Sequence, residues 1–368
     1  MIDTQIKSVR DLASKSAQDA IAEAGAQIRA GALVVFPTET VYGLGASALD
    51  ASAAERIYAA KGRPSDNPLI IHIADPADAS RYAVTSPLYE RLAECFMPGP
   101  LTVILPVRPV IPRTVTASLE TVAVRCPSHA AARALIREAG VPIAAPSANL
   151  SGSPSPTEVR HVVSDMKGRV SMILDGGDCE IGLESTIVRP ETDGTLSLLR
   201  PGGITVEMLT DAGFIVCVPD TLNDAPRAGE TVVCPGMKYR HYAPKAPLFL
   251  LDGTREEQTA FLVRRQRELS EKGGRMVVLD TCERCEMLKG VLPCDAVCLS
   301  LGCDRDEGEC ARHLFSRLRD ADEYTPDEIY APMPEKQGIG LALYNRMIRA
   351  SAYQVIDLED ALNENDNN

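Results

Sequence analysis

Cations are scarce in this chain: 38 Lys and Arg stand against 51 Asp and Glu, a net charge of −13 over 368 residues. Neutralising phosphates needs a cationic face, so tight, sequence-independent binding of nucleic acid by the whole surface is excluded, though a local basic groove is not. No apolar run reaches the roughly 18 residues that a membrane-spanning helix needs. The opening MIDTQIKSVRDLASK lacks the apolar core of a secretory signal, and a cytoplasmic location is expected. Eleven cysteines, an odd number without the spacing of a disulfide framework, suit the same reducing compartment. Several catalytic signatures are also missing. There is no G-x-x-x-x-G-K-[ST] phosphate loop, no G-x-G-x-x-G fingerprint, no G-x-S-x-G elbow and no H-E-x-x-H. The five histidines are scattered, and His129, His161 and His313 fall in helical stretches where core or surface placement is the default. No internal repeat is present.

What is there is a chain long enough for two domains, with 45% hydrophobic residues to build a core in each. Residues 17–30 carry helical spacing and stop at Gly31, and 33–36 is a short apolar strand entering a hydroxyl- and glycine-rich loop. Ser52 and Glu55 form a capping-box pattern for a helix that ends at Gly62. Short strands are expected at 69–73, 101–105, 122–125, 143–145, 172–174, 186–188 and 196–199, and helices at 87–96, 128–139 and 157–165. Strands and helices mix without a βαβ rhythm, which points to a mixed sheet more than a doubly wound one. Residues 217–245 are rich in Pro, Gly and polar residues and read as an interdomain linker, unusual for its crowded Tyr239, His241 and Tyr242. Beyond it, strands near 248–251, 276–279 and 295–299 alternate with helices at 255–272, 307–321 and 339–351, the pattern of a small Rossmann-like domain.

The densest chemistry lies in residues 37–72, PTETVYGLGASALDASAAERIYAAKGRPSDNPLIIH. Lys61 supplies a point charge and Arg63 a two-pronged donor, together suited to phosphate oxygens. The structural alternative is a pair of cations favoured at a helix C-terminus. Thr38, Thr40 and Tyr42 sit on the first loop, where Gly43 and Gly45 are expected to let the backbone approach a ligand. Ser147 and Asn149 follow an apolar strand and offer small donors, or simply turn chemistry. Arg125 ends a strand and suits a substrate carboxylate, or a rim ion pair. Glu184-Ser185-Thr186 and Leu199-Arg200-Pro201-Gly202 place further polar groups at strand ends. Cys282 and Cys285 form a lone CxxC with no matching second pair, so free thiols are favoured over a metal site.

In combination these segments resemble the Sua5/YrdC/YciO family: Pro37 to Gly45, Lys61-Gly62-Arg63-Pro64, Asn67-Pro68-Leu69, Ala145 to Asn149, Glu184-Ser185-Thr186 and Pro235 to Pro244. The linker motif and second domain fit the two-domain Sua5 type, and the resemblance covers nearly the whole chain. It implies an α/β fold: a twisted mixed sheet with flanking helices over residues 1–216, the linker as a lid over 217–245, and a smaller Rossmann-like domain over 246–368. It implies an L-threonylcarbamoyladenylate synthase that takes ATP, L-threonine and bicarbonate or CO2 and releases pyrophosphate. The product feeds N6-threonylcarbamoyladenosine modification of tRNA through downstream threonylcarbamoyl-transfer proteins; direct tRNA binding is left open. Catalysis would centre on Lys61, Arg63, Ser147 and Asn149. Thr40, His72, Arg125, Ala145 through its backbone and Ser185 would hold L-threonine. Lys61, Arg63, Asn67, Thr121, Ser147, Asn149, Ser155, Arg200 and Cys234 would line the ATP side, and Tyr239, His241 and Tyr242 would form the lid. No resident metal is expected; Mg2+ would ride on the ATP phosphates. Cys234 departs from the Ser or Ala more usual there. Two other readings compete, another carbamoyl-adenylate former and an RNA-binding module of the same fold.

Overall fold

The computed structural model describes residues 2–224 and 242–359. Internal contacts divide the chain into two compact units, Met1–Ser151 with Ser155–Tyr239, and Gly152–Pro154 with Arg240–Asn368. Both are α/β. Among the described residues no helix is long and apolar enough to cross a membrane.

The first unit holds β1 (Gln5–Ser8), β2 (Val34–Phe36), β3 (Gly43–Ser47), β4 (Ile70–His72), β5 (Leu101–Pro106), β6 (Thr121–Arg125), β7 (Ile143–Ala144), β8 (Met172–Asp175), β9 (Thr186–Pro190), β10 (Leu196–Arg200) and β11 (Val216–Cys217). They join in one sheet of order β1-β8-β2-β3-β7-β4-β6-β5-β9-β10-β11. Pairing is mixed: β4 with β6 and β5 with β9 run parallel, whereas β3 with β7, β4 with β7 and β5 with β6 run antiparallel. The irregular rhythm of strands and helices in the sequence has its cause here. Helices Lys15–Arg29 and Ala130–Ala139 lie on the sheet and share a core with Val34, Ile143 and Met172.

Two local expectations are corrected. The helix Ala51–Lys61 is capped not by Ser52 but by Asp50, whose carboxylate accepts from Ser52 N at 2.9 Å. The aspartate two residues earlier wins because it sits just outside the first helical residue, Ala51, where its side chain reaches the orphan Ser52 amide. The C-terminal stop stands as expected: Gly62 takes the left-handed conformation, φ 63°.

The second correction concerns Gly43 and Gly45, which lie in β3, a strand hidden by its glycine content. They serve packing rather than ligand approach. A Cβ on Gly45 would come within 2.8 Å of both Phe36 Cε1 and Ile143 Cγ2, and one on Gly43 within 3.0 Å of Phe36 Cζ. The bare backbone is what lets the Phe36 ring lie across the strand. That ring then meets His72 edge-on, with centroids 5.9 Å apart.

The second unit is a five-stranded parallel sheet of order β14-β13-β15-β12-β16, from β12 (Leu248–Asp252), β13 (Met276–Asp280), β14 (Val297–Ser300), β15 (Glu328–Pro332) and β16 (Val355–Asp357). Helices Arg255–Ser270, Cys282–Lys289, Glu307–Glu323 and Gly340–Ala350 connect them, which is the Rossmann-like layering expected. Helix Cys282–Lys289 and strands β15 and β16 were not legible: the helix for its charged composition, β15 because Glu328 and Pro332 bound its short apolar run, and β16 for its brevity. Of the segment expected as a linker, Cys217 closes β11 and Asp220–Asn223 forms a 3-10 turn.

Gly45→Ala is expected to destabilise the first unit by about 1–3 kcal/mol, the usual cost of overpacking. Urea unfolding measures it, and an unchanged midpoint would show that Phe36 gives way freely.

Candidate functional site

Strand register gathers the polar residues. His72 at the end of β4 pairs with Arg125 at the end of β6 and with Ile143 of β7, and Arg125 in turn faces Thr102 of β5. Just past β7, Ala145 N donates to Ile70 O at 2.9 Å, and the segment then runs along the start of β3, where Leu44 N donates to Pro146 O at 2.9 Å and Ala148 N to Tyr42 O at 2.8 Å. Four neighbouring strands thus deliver an imidazole, a guanidinium, a hydroxyl and the start of a polar turn to one region of the sheet.

Lys61, Ser147 and Asn149 form one network. The buried Lys61 ammonium donates to Ser147 O, to Asn149 O at 2.6 Å and to Asn149 Oδ1 at 3.3 Å. Ser147 Oγ donates to the same Asn149 Oδ1 at 2.5 Å. Ser151 N returns to Lys61 O at 2.9 Å, so the helix end and the turn are clamped from both sides. Arg63, half-buried, donates from Nε to Asn67 O at 3.3 Å and from Nη2 to Pro68 O at 3.1 Å. Asn67 is fully buried, yet its side-chain amide has no hydrogen-bond partner on either Nδ2 or Oδ1 among the described residues.

On the other side, Arg125 Nη2 makes a 2.7 Å ion pair with Glu39 Oε1, and both side chains are buried. Burial pushes the Glu39 carboxyl up, but the charge and hydrogen bond of Arg125, with a backbone N–H from Ser128, outweigh it and hold the group below the ordinary value. Thr38 Oγ1 organises the loop around Glu39: it accepts from Thr40 N and Val41 N at 3.2 Å each and meets Thr40 Oγ1 at 2.8 Å. Ser185 Oγ lies 2.7 Å from Thr102 Oγ1 and accepts from Arg200 Nη2 at 3.1 Å, while Arg200 also holds Ser185 O at 2.8 Å. Arg200, assigned from the sequence to the ATP side, is therefore bonded to a residue assigned to the amino acid. Ser155 Oγ donates to Glu184 Oε1 at 2.6 Å. Thr121 opens β6 four residues before Arg125, about 13 Å away along a strand, and the structure does not bring those two together.

His72 is buried, and loss of solvation, helped by the Arg125 charge, pushes its pKa down to about 3. The imidazole is neutral at physiological pH. Its Nδ1 faces Ile143 O at 3.3 Å, which places the proton there and leaves Nε2 as an acceptor.

Cys234, Tyr239 and His241 lie outside the described residues. Tyr242 is described: its ring stacks on Phe315 at 5.1 Å and lies under the Arg346 guanidinium at 5.6 Å, all within the second unit. In that unit Cys285 is buried and helical, while Cys282 and Cys303 both donate to the Glu283 carboxylate. The sequence reading missed Glu39 and Thr102. Glu39 had a signal, a carboxylate between two threonines right after an apolar strand; Thr102, inside a hydrophobic strand, had none.

Comparison with known proteins follows the same two-part division. A family model labelled Sua5_yciO_yrdC and described as telomere recombination matches residues 26–202, and one described as the threonylcarbamoyl-AMP synthase C-terminal domain matches residues 204–352. The threonylcarbamoyl-AMP synthase of Bacillus subtilis is 46% identical over 341 residues, covering 91% of this chain and 94% of that protein. The one from Pyrococcus abyssi is 45% identical, covering 89% and 93%. The crystal structure of P. abyssi Sua5 complexed with L-threonine superposes with a TM-score of 0.86 at 40% identity, covering 96% of this chain and 99% of that one.

A histidine kept neutral by burial loses its stabilising effect as pH falls, because the unfolded chain takes up a proton near 6.5 that the folded chain refuses until about 3. Wild type is expected to lose stability across that window relative to His72→Asn, by on the order of 4 kcal/mol at its lower end. Paired denaturant titrations from pH 7.5 to 4 measure the difference; parallel curves would mean that His72 is solvated.

Proposed function

We infer the activity from the family to which the chain belongs: it is a two-domain member of the Sua5/YrdC/YciO family, and it joins L-threonine, bicarbonate or CO2 and ATP into threonylcarbamoyl-AMP with release of pyrophosphate. The observation that carries this is the similarity to synthases of that name across both domains and nearly their full length. The chain thereby serves the N6-threonylcarbamoyladenosine modification of tRNA, with transfer to tRNA left to downstream proteins and the cytoplasm as its place of work.

The reaction needs no protein nucleophile. The threonine amine takes up CO2 to give a carbamate, and a carbamate oxygen displaces pyrophosphate from the α-phosphorus. The protein's part is to set two anions against each other and stabilise the charge that leaves. Arg125 is proposed to take the threonine carboxylate, with Thr40, the Ala145 backbone and Ser185 around it. The L-threonine bound in the P. abyssi relative supports an amino-acid site in this fold. The neutral His72 offers its Nε2 lone pair to a substrate N–H or O–H; a protonated imidazole beside Arg125 would repel the ammonium.

Lys61, Arg63, Asn67, Thr121, Ser147, Asn149, Ser155, Arg200 and Cys234 are proposed for the ATP side. Two observations support it. Arg63 is half-buried at the helix end, and beside it lies the Asn67 amide, which has no partner among the described residues, a buried group that costs about 1–3 kcal/mol until a polar partner arrives. Among the described residues no group of three His, Cys, Asp or Glu is placed to hold a metal ion. Mg2+ is therefore proposed on the nucleotide's own phosphate oxygens, where it supplies charge neutralisation. Tyr239, His241 and Tyr242 are proposed to cover the product against water.

Purified protein given ATP, threonine and bicarbonate is expected to release pyrophosphate only when threonine is present; threonine-independent release would refute the reading, and tight tRNA binding without release would favour the RNA-binding alternative. Arg63→Ala is expected to lower kcat/KM about 100-fold or more, with the circular dichroism spectrum unchanged. Activity at the wild-type level would remove Arg63 from the phosphate side.

A further inference from the structure

Glu39 has no place in the substrate shell described above, yet it is the best-buried carboxylate beside it, with a relative exposure of 2%. It sits on the loop between β2 and β3, and Arg125 ends β6, with β7 and β4 lying between those strands in the sheet. Its 2.7 Å ion pair with Arg125 bridges that gap. The main chain on both sides of Glu39 is fixed independently. Thr38 Oγ1 accepts two loop amides, and Ile181 N donates to Glu39 O at 2.9 Å. One side chain thus ties the loop that carries Thr40 to the strand end that carries Arg125.

The pair is incomplete in an informative way. Arg125 Nε and Glu39 Oε2 are buried without a hydrogen-bond partner among the described residues. A bidentate pair would satisfy both and take up one whole edge of the guanidinium, Nε together with Nη2. Here Glu39 engages Nη2 alone through one oxygen. A free arginine fork rotates about its long stem, and holding it by one prong sets its plane while leaving a donor edge for an incoming carboxylate. The structure therefore carries a cost in unmade hydrogen bonds for an orientation that a simple structural ion pair would not need.

We propose that Glu39 is a positioning residue for the amino-acid substrate: it orients the Arg125 guanidinium and locks the Thr40 loop to it, so that the carboxylate-binding donors are set before threonine arrives. This rests on the reading of Arg125 as the threonine carboxylate partner. Pre-set donors avoid the ordering that binding otherwise has to supply. The effect falls on threonine alone, because Lys61, Ser147 and Asn149 are held by a separate set of bonds. A merely charge-compensating Glu39 predicts the opposite sign. Removing its charge would then leave Arg125 a stronger attractor for a carboxylate, and threonine would bind more tightly.

The test is Glu39→Gln and Glu39→Asp in the full chain, with threonine binding measured by calorimetry and steady-state KM for each substrate. Gln keeps the length and loses the charge-assisted bond; Asp keeps the charge and loses the reach. Both are expected to weaken threonine binding about tenfold or more, with KM for ATP within twofold of wild type. Asp keeps a carboxylate near Arg125, so it retains the fold if Gln does not. Unchanged or tighter threonine binding in either folded variant overturns the proposal, as does an equal rise in both KM values. Failure of the underlying reading looks different: wild type itself would then show no threonine binding, or Arg125→Lys would bind threonine as wild type does.

Discussion

Burying a cation is expensive unless something nearby carries compensating charge or dipole, and among the described residues the first unit buries Lys61, Arg125 and Arg200. Each is met differently. Lys61 is received by the backbone carbonyls and the amide oxygen of the Ser147–Asn149 turn. Arg125 is met by a full carboxylate, and Arg200 by the carbonyl and hydroxyl of Ser185. The loops of the site have their conformations because they serve as counter-groups. The turn after β7, the loop after β2 and the segment before β9 are each bent around a positive charge, and the remaining polar residues take their places from those three bends.

Much of this was readable from residue type and spacing, and the reason is chemical. Lysine, arginine, serine and asparagine at strand ends advertise polar work, and Lys61 with Ser147 and Asn149 turned out to be one network across 86 and 88 residues of sequence. The strands were legible where β-branched residues run together, as in Val122 to Arg125. They were not where packing overrode propensity: β3 is built on two glycines because an aromatic ring must cross it, and nothing local announces that ring. Partnership was the least legible quantity. Arg125 read as an open cation because its counter-charge, Glu39, lies 86 residues earlier. Arg200 was placed with the nucleotide residues because motif order does not reveal that Ser185 folds back onto it. The second unit was readable as a class from its alternation, while helix Cys282–Lys289 was lost in its own charges.

Two anionic groups brought together for reaction pose an opposite problem from one: attraction to each is easy, and mutual repulsion between them has to be overcome. The proposed division of roles answers that. Guanidinium and neutral imidazole stand together at paired positions of β4 and β6, while the ammonium and the hydroxyl-amide turn form a separate cluster. The depressed basicity of His72 leaves Arg125 as the one positive charge of that pair, which suits the carboxylate-binding role proposed for it.

The first and eighth strands carry a consequence of a different kind. Gln5 is paired with Met172, and the fifth strand is completed by the ninth, Leu101 beside Thr186. Contacts of such sequence separation slow folding, since long loops must close before any pairing rewards them. On a ribosome the chain therefore emerges with its opening strand unmatched, and more than 160 residues must follow before its neighbour exists. The proposed site residues, spread from Thr40 to Arg200, cannot all be in place until Arg200 has been made. A nascent or truncated chain thus has unsatisfied strand edges before its site residues are complete, and a net charge of −13 sets mutual repulsion against their association.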